Sequence, residues 1–363
     1  MTDRRYLDAL LDTALDLPPD RRAAFLENRC PPELRGRLDR MLQACEEPGD
    51  GLGDVLEEAR LVIAEEVAGR PTKSLDRSDR LDRFVVEREL ARGGTSVVYQ
   101  VKDAESGEHL ALKLLLQDLQ GDRRSRIRFL AEARAAGRLD HPAVGRVEEV
   151  GELPDGRLFL VMPLYRGATL AERLATLGQV DVPMALDWAA QVAGGLDCAH
   201  RANIVHRDIK PSNLFLEPVL DTVGGAEGSS PRRAVRLQVK ILDFGVAKLA
   251  GEGPTRPGDR VGTLPYMSPE QVLGEPVDAR ADLWALGVVL YEMLTGTRPF
   301  VGRNLVELVL SLQRDEAPRL VECLPDVSPS VDALVARALA RERESRFQSA
   351  AAMGEALATA LSS

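Results

Sequence analysis

The spacing of apolar residues changes character once along this chain, near residue 169, and that change restricts the fold more than any other feature. Between residues 84 and 164 apolar residues fall in short β-type runs: FVVEREL, SVVYQVKD, HLALKLLL and RLFLVMPL. One helical segment rich in arginine and alanine, over 123–139, interrupts them. Beyond about residue 169 the periodicity is mainly helical. Strands followed by helices give an α+β arrangement, here a small β-rich lobe and a larger helical lobe. The most apolar stretch, LWALGVVLYEML over 283–294, is shorter than the roughly 18 uncharged apolar residues needed to span a bilayer, so it reads as a buried core helix.

Ahead of this region, residues 1–68 read as a small all-helical unit. Tyr6, Leu7, Leu10, Leu11, Ala14 and Leu15 share one face at helical spacing, and Pro18 and Pro19 end that helix. Asp20 opens a second helix around Phe25 and Leu26, and Pro31 and Pro32 break it. A third stripe holds Leu34, Leu38, Met41, Leu42 and Cys45; a fourth holds Val55, Leu56, Ala59, Val62, Ile63 and Val67. Residues 69–80 are polar and unpatterned, a linker. Within the helical lobe, residues 217–235 contain Gly, Ser and Pro without periodicity and read as a flexible insertion.

Composition narrows the partners. Of 363 residues 44% are hydrophobic and 29% charged, with a net charge of −10, so sequence-independent binding to nucleic acid or an anionic lipid surface is disfavoured. Cys30, Cys45, Cys198 and Cys323 are scattered, which suggests neither a zinc site nor a disulfide framework but reduced thiols in a cytoplasm. The amino terminus lacks a signal-peptide core. Lysine stands only at 73, 102, 113, 210, 240 and 248. Each surviving lysine is therefore informative, because arginine does not replace a compact point charge everywhere.

The chemistry-bearing residues cluster in His206-Arg207-Asp208-Ile209-Lys210-Pro211-Ser212-Asn213 and, further on, Asp243-Phe244-Gly245 behind the apolar VKIL. Phosphoryl transfer to a hydroxyl needs an aspartate that orients the hydroxyl and accepts its proton. It also needs a cation where charge develops and oxygen ligands for magnesium. Asp208, Lys210 and Asn213 supply these from one loop, and Asp243 suits a second metal-ligand position.

HRDIKPSN followed by DFG resembles the catalytic and metal-binding loops of the protein kinase family, in its bacterial serine/threonine branch. The resemblance covers residues 81–356 and implies a two-lobed catalytic domain. It implies Asp208 as catalytic base, Lys210 as phosphate-neutralising group, and Asn213 and Asp243 as ligands of magnesium, or of manganese in its place. Lys113, in Ala111-Leu112-Lys113, would hold the α- and β-phosphates of ATP, with Glu132 as its partner. Leu90, Val98 and Ala111 would cover the adenine on one side and Phe215 on the other. Met162 looks like the gatekeeper, so Pro163, Leu164 and Tyr165 would form the hinge. The glycine-rich loop departs from the family's G-x-G-x-x-G: Ala91 and Ser96 replace the outer glycines, Gly93 keeps the middle one, and Gly94 is added. Less free backbone approach to phosphate is the expected consequence.

Gly262 to Glu270 resembles the end of the family's activation segment. Thr263 would shape the acceptor site, Glu270 would pair with Arg346, and Asp282 would brace the catalytic loop. Arg207 beside Asp208 implies a basic partner for a phosphorylated Thr255, with Lys248 assisting. The expected protein is a cytoplasmic serine/threonine kinase that acts on protein substrates and on itself, with homodimerisation open. A pseudokinase serving as a nucleotide-binding scaffold and a small-molecule kinase are the alternatives. The SPE segment argues against the latter.

Overall fold

The computed structural model describes residues 75, 77–93, 96–115, 130, 133–223, 232–244, 263–302 and 305–362. The helical unit over 1–68, most of the linker, and Gly94, Glu132, Gly245, Lys248 and Thr255 lie outside the described residues.

Six antiparallel strands build the small lobe: β1 (Arg80–Leu81), β2 (Phe84–Arg92), β3 (Ser96–Asp103), β4 (His109–Leu115), β5 (Glu149–Glu152) and β6 (Leu158–Pro163). Their order across the sheet is β1-β2-β3-β4-β6-β5. Alternation along β4 explains its burial on both sides. Leu110, Leu112 and Leu114 join one core with Phe84, Val97, Tyr99 and Phe159, while Leu115 packs on the opposite face with Ala133, Leu158 and Leu160. Lys113 shares that second face by the same period of two.

The large lobe is helical around a short sheet. Strand β7 (Ala168–Thr169) leads into α1 (Leu170–Leu177), which a capping box between Thr169 and Glu172 starts. Then come α2 (Val182–Arg201), a 3₁₀ turn at Pro211–Asn213, and strands β8 (Leu214–Val223) and β9 (Arg232–Ile241). Helices α3 (Pro269–Val272), α4 (Arg280–Thr295), α5 (Leu305–Arg314), α6 (Leu320–Cys323), α7 (Pro329–Ala338) and α8 (Ala350–Leu361) complete it. The apolar stretch at 283–294 lies in α4, where Leu283 to Leu290 are all buried at the centre of the lobe. Apolar all round, α4 is covered on every side, including by α7, where a Cβ on Gly287 would stand 2.8 Å from Ala338 Cβ.

Residues 217–223 and 232–235 correct the expectation of a flexible insertion over 217–235. They continue β8 and β9 as a hairpin paired from Leu214↔Ile241 out to Val223↔Arg232. Backbone pairing carries these rungs and requires no particular side-chain pattern. Helix α2 anchors the base of the hairpin through Gln191, whose Oε1 accepts from Val239 N at 2.9 Å and Gln238 Nε2 at 2.8 Å. Arg236 also reaches Asp187 at 3.2 Å.

Candidate active site

A sharply bent loop between α2 and the 3₁₀ turn carries the polar residues of the site. Arg207 adopts a left-handed φ of 65°, a conformation a bulky side chain takes only when its surroundings demand it. The demand comes from Asp282 in the first turn of α4. Its fully buried carboxylate accepts from His206 N at 2.8 Å and Arg207 N at 2.7 Å, and lies 2.8 Å from His200 Nε2. Gln271 holds the same bend from another side, its Nε2 donating to Arg207 O at 2.9 Å. Asp282→Asn keeps the shape but replaces a charged acceptor. Because bonds to charged groups contribute about 1.5–3 kcal/mol each, we expect a stability loss of about 2–3 kcal/mol by urea denaturation. An unchanged midpoint would refute the bracing role.

His206 connects this loop to the segment that carries Asp243. Its Nε2 lies 2.9 Å from Leu242 O and its Nδ1 is 3.2 Å from Asp208 N. A carbonyl accepts and an amide donates, so the ring holds its hydrogen on Nε2. The Phe244 ring packs edge-on at 4.6 Å, and Leu242 N donates to Asn213 O at 2.8 Å. Asp243 itself has a left-handed φ of 70°.

These constraints bring Asp208, Lys210, Asn213 and Thr263 together. Lys210 Nζ lies 2.9 Å from Asp208 Oδ2 and donates to Thr263 Oγ1 at 2.6 Å. Asn213 Nδ2 donates to Asp208 Oδ2 at 2.9 Å and to the Asp208 carbonyl at 2.8 Å. Both side-chain partners engage Oδ2. Oδ1 is buried and has no hydrogen-bond partner among the described residues, and such an atom calls for a donor from elsewhere. Arg207 Nε is buried in the same condition.

Lys113 reaches across from the small lobe to Asp243 Oδ1 at 2.7 Å. Burial by itself would raise the Asp243 carboxyl, but the Lys113 ammonium, and more weakly that of Lys210, outweigh it and hold the group below its ordinary value. Around Lys113, β4 places Ala111 opposite Met162 of β6 and Lys113 opposite Val98 of β3. Leu90, Val98, Met162, Pro163, Tyr165 and Phe215 are all half-buried, an apolar lining between the lobes. The Tyr165 and Phe215 rings stand 6.1 Å apart. The turn after β2 closes through Gly93 N to Ser96 O at 2.9 Å, and Ala91 is exposed beside it.

On the far side of the site Glu270 and Arg346 form a bidentate pair at 2.8 and 3.0 Å, both residues almost fully buried. Arg346 also donates to the carbonyls of Ala340 and Arg341, and its guanidinium lies 4.8 Å from the Trp284 ring centroid. Sequence reasoning missed His200, Gln271 and the Tyr266–Glu292 bond of 2.8 Å. The S-x-x-Q spacing of Ser268 and Gln271 signals a capping box. Nothing in the sequence signals that the same glutamine also reaches Arg207.

The two-lobed fold thus carries a lysine reaching from the sheet to a carboxylate, above a loop of aspartate, lysine and asparagine. The protein kinase domain profile matches residues 84–357, and the chain belongs to that family, in its bacterial serine/threonine branch. It is 36% identical over 278 residues to serine/threonine-protein kinase PknB of Mycolicibacterium smegmatis, across 75% of this chain and 42% of the relative. It is 37% identical over 274 residues to serine/threonine-protein kinase PknL of Mycobacterium tuberculosis, across 75% of this chain and 64% of the relative. The matches thus span less than two thirds of either curated relative. Among solved structures the Mycobacterium tuberculosis PknI kinase domain superimposes with a TM-score of 0.60 at 27% identity, covering 79% of this chain and all of that one. Among the described residues no helix is long and apolar enough to cross a membrane.

Proposed function

We propose that this chain transfers the γ-phosphate of ATP to serine and threonine hydroxyls of protein substrates, its own included. The observation that carries this reading is the state of the Asp208 carboxylate. Lys210 and Asn213 hold Oδ2, and Oδ1 remains buried and unpaired among the described residues. An acceptor hydroxyl supplies the missing donor. Asp208 orients that hydroxyl and takes its proton as the bond to phosphorus forms, while the leaving bond to the β-phosphate oxygen breaks. Lys210, bonded to Thr263, supplies positive charge beside the transferring group and ties the acceptor side to the loop.

The donor set on the ATP side fits a divalent cation. Asp243 is held as an anion, and Asn213 stands across the loop with an amide oxygen. Magnesium is bound by one or two such protein oxygens together with phosphate oxygens, and manganese accepts the same set. Such an ion neutralises phosphate charge when bound. Lys113 pairs with Asp243 here, and with ATP present its ammonium serves the α- and β-phosphates, with Glu132 as its partner. Leu90, Val98, Ala111 and Phe215 sandwich the adenine behind the Met162 gatekeeper. Gly93, Gly94 and Ala91 line its phosphates. Pro163 offers a carbonyl and Tyr165 an N–H to the adenine edge, so Pro163 costs the hinge nothing it uses. The unpaired Nε of Arg207 supports a regulatory role for phosphorylated Thr255, and Thr255→Ala is then expected to lower activity. ATP supply and the free thiols of Cys198 and Cys323 among the described residues suit a cytoplasmic setting.

The test is incubation with γ-labelled ATP and magnesium, alone and with a basic protein substrate, beside Lys113→Met. Label in the unmodified chain and a fall of roughly 10²-fold or more in the variant are expected. Absence of label at high ATP, with manganese also tried, would sink the reading.

A further inference from the structure

The two lobes meet along the backbone in two places. One is the covalent passage over residues 164–167, between β6 and β7. The other is the loop over 141–147, which leads into β5 of the small lobe yet is fastened to the large one. Ala143 O accepts from Ile241 N, and Gly145 N donates to Ile241 O, both at 2.8 Å. Lys240 Nζ donates to Pro142 O at 2.8 Å. The fit leaves no slack, since a Cβ on Gly145 would stand 2.7 Å from Leu242 Cδ2 and 2.9 Å from Ile241 O. Residues 142–145 are therefore mechanically part of the large lobe, beside the segment that carries Asp243.

Tyr165 joins the two places. Its hydroxyl oxygen accepts from Arg146 N at 2.9 Å. Its ring stands 6.1 Å from that of Phe215, and Lys240 Nζ lies 5.7 Å from its centroid. Phe215 and Lys240 are opposed in the β8–β9 hairpin, and opposed residues share a face. One face of the hairpin thus receives the Tyr165 ring while the loop receives its hydroxyl, and Lys240 engages both. Further along, the passage is pinned at Gly167, whose φ is 143° and whose Cβ, if it had one, would lie 2.0 Å from Leu216 O.

A joint made of one backbone passage bends and twists. A second contact tied to that passage leaves it fewer ways to move. An angular change displaces each group in proportion to its distance from the joint. Pro163 stands at the joint opposite Leu110, while Lys113 is opposite Leu160, three residues back along β6, or roughly 10 Å at the rise of a strand. Adenine at the hinge is displaced little by such a change. Lys113 and the phosphates it serves are displaced more.

We propose that the Tyr165 side chain is a positioning residue: it ties the passage to the loop and so holds Lys113 at the angle from which it meets Asp243 and the phosphates of ATP. This inference rests on the reading of the cleft as an ATP site. The test is calorimetric binding of adenosine, and of the non-hydrolysable β,γ-imido analogue of ATP with magnesium, to the full chain and to Tyr165→Phe. Phenylalanine keeps the ring and the backbone N–H and removes only the acceptor for Arg146 N. The net contribution of one hydrogen bond limits the effect, so the triphosphate is expected to bind about fivefold more weakly and adenosine less than about twofold. Lys240→Met, which frees Pro142 O, gives the same split. By NMR, exchange of the Arg146 amide rises in Tyr165→Phe before any nucleotide is added. The melting temperature falls by no more than about 2–4 °C. Loss by one common factor for both ligands would overturn the proposal, because the side chain would then only shape the adenine site. Unchanged affinity for both, or an Arg146 amide indifferent to the substitution, would overturn it too. Each of these leaves the ATP reading standing. Binding of neither ligand by the unmodified chain would instead sink that reading, and this inference with it.

Discussion

Asp208→Asn is expected to lower phosphotransfer by roughly 10²–10⁴-fold and leave the folded chain intact. The substitution preserves volume, and the side chain is partly exposed, so no cavity is made. Lys210 and Asn213 keep an atom opposite them where Oδ2 now stands. What disappears is the negative charge that balances Lys210 and the basic oxygen that takes the hydroxyl proton. Label transfer with melting temperature as companion measurement separates the two. Retained activity would remove Asp208 from the chemistry, and a large drop in melting temperature would recast it as a structural residue.

The largest effect on stability is expected at the Glu270–Arg346 pair. Breaking a buried ion pair from one side strands the other charge, at a cost of about 3–5 kcal/mol. Glu270→Gln and Arg346→Met should each lower the melting temperature by on the order of 10 °C in a domain of this size. Arg346→Met also removes donors to the carbonyls of Ala340 and Arg341, so it should be the worse of the two. Acid provides a second reading of the same pair. Burial raises the Glu270 carboxyl, but Arg346 outweighs it and brings the group below its ordinary value. A depressed carboxylate contributes stability that is fully present above its unfolded value and is lost as pH falls through the folded one. The gap between the unmodified chain and Glu270→Gln should therefore close on acidification. A gap independent of pH would show that the charge of Glu270 is not what stabilises.

Much of the site was legible in advance because its chemistry is packed into two short stretches. Asp208, Lys210 and Asn213 stand within six residues, and the structure brings their side chains together. The α+β division was legible for a related reason: periods of 2 and 3.6 are local properties of the chain. The strand residues 217–223 and 232–235 were misjudged, because their pairing runs through the backbone. Asp282 and Glu270 were found only through resemblance, and His200 and Gln271 not at all. Their partners lie 82 and 64 positions away.

The sequence by itself determined which residues carry charge, where strands give way to helices, and that α4 would be buried, since all three follow from side-chain type and spacing. The tertiary structure alone decided which charges face one another. Lys113 meets Asp243 across the two lobes, and Lys210 joins Asp208 to Thr263. Asp282 bends the loop that presents Asp208 from inside a different helix. These contacts depend on how lobes and helices pack, and each one needs its buried polar atoms satisfied at separations that no local pattern encodes.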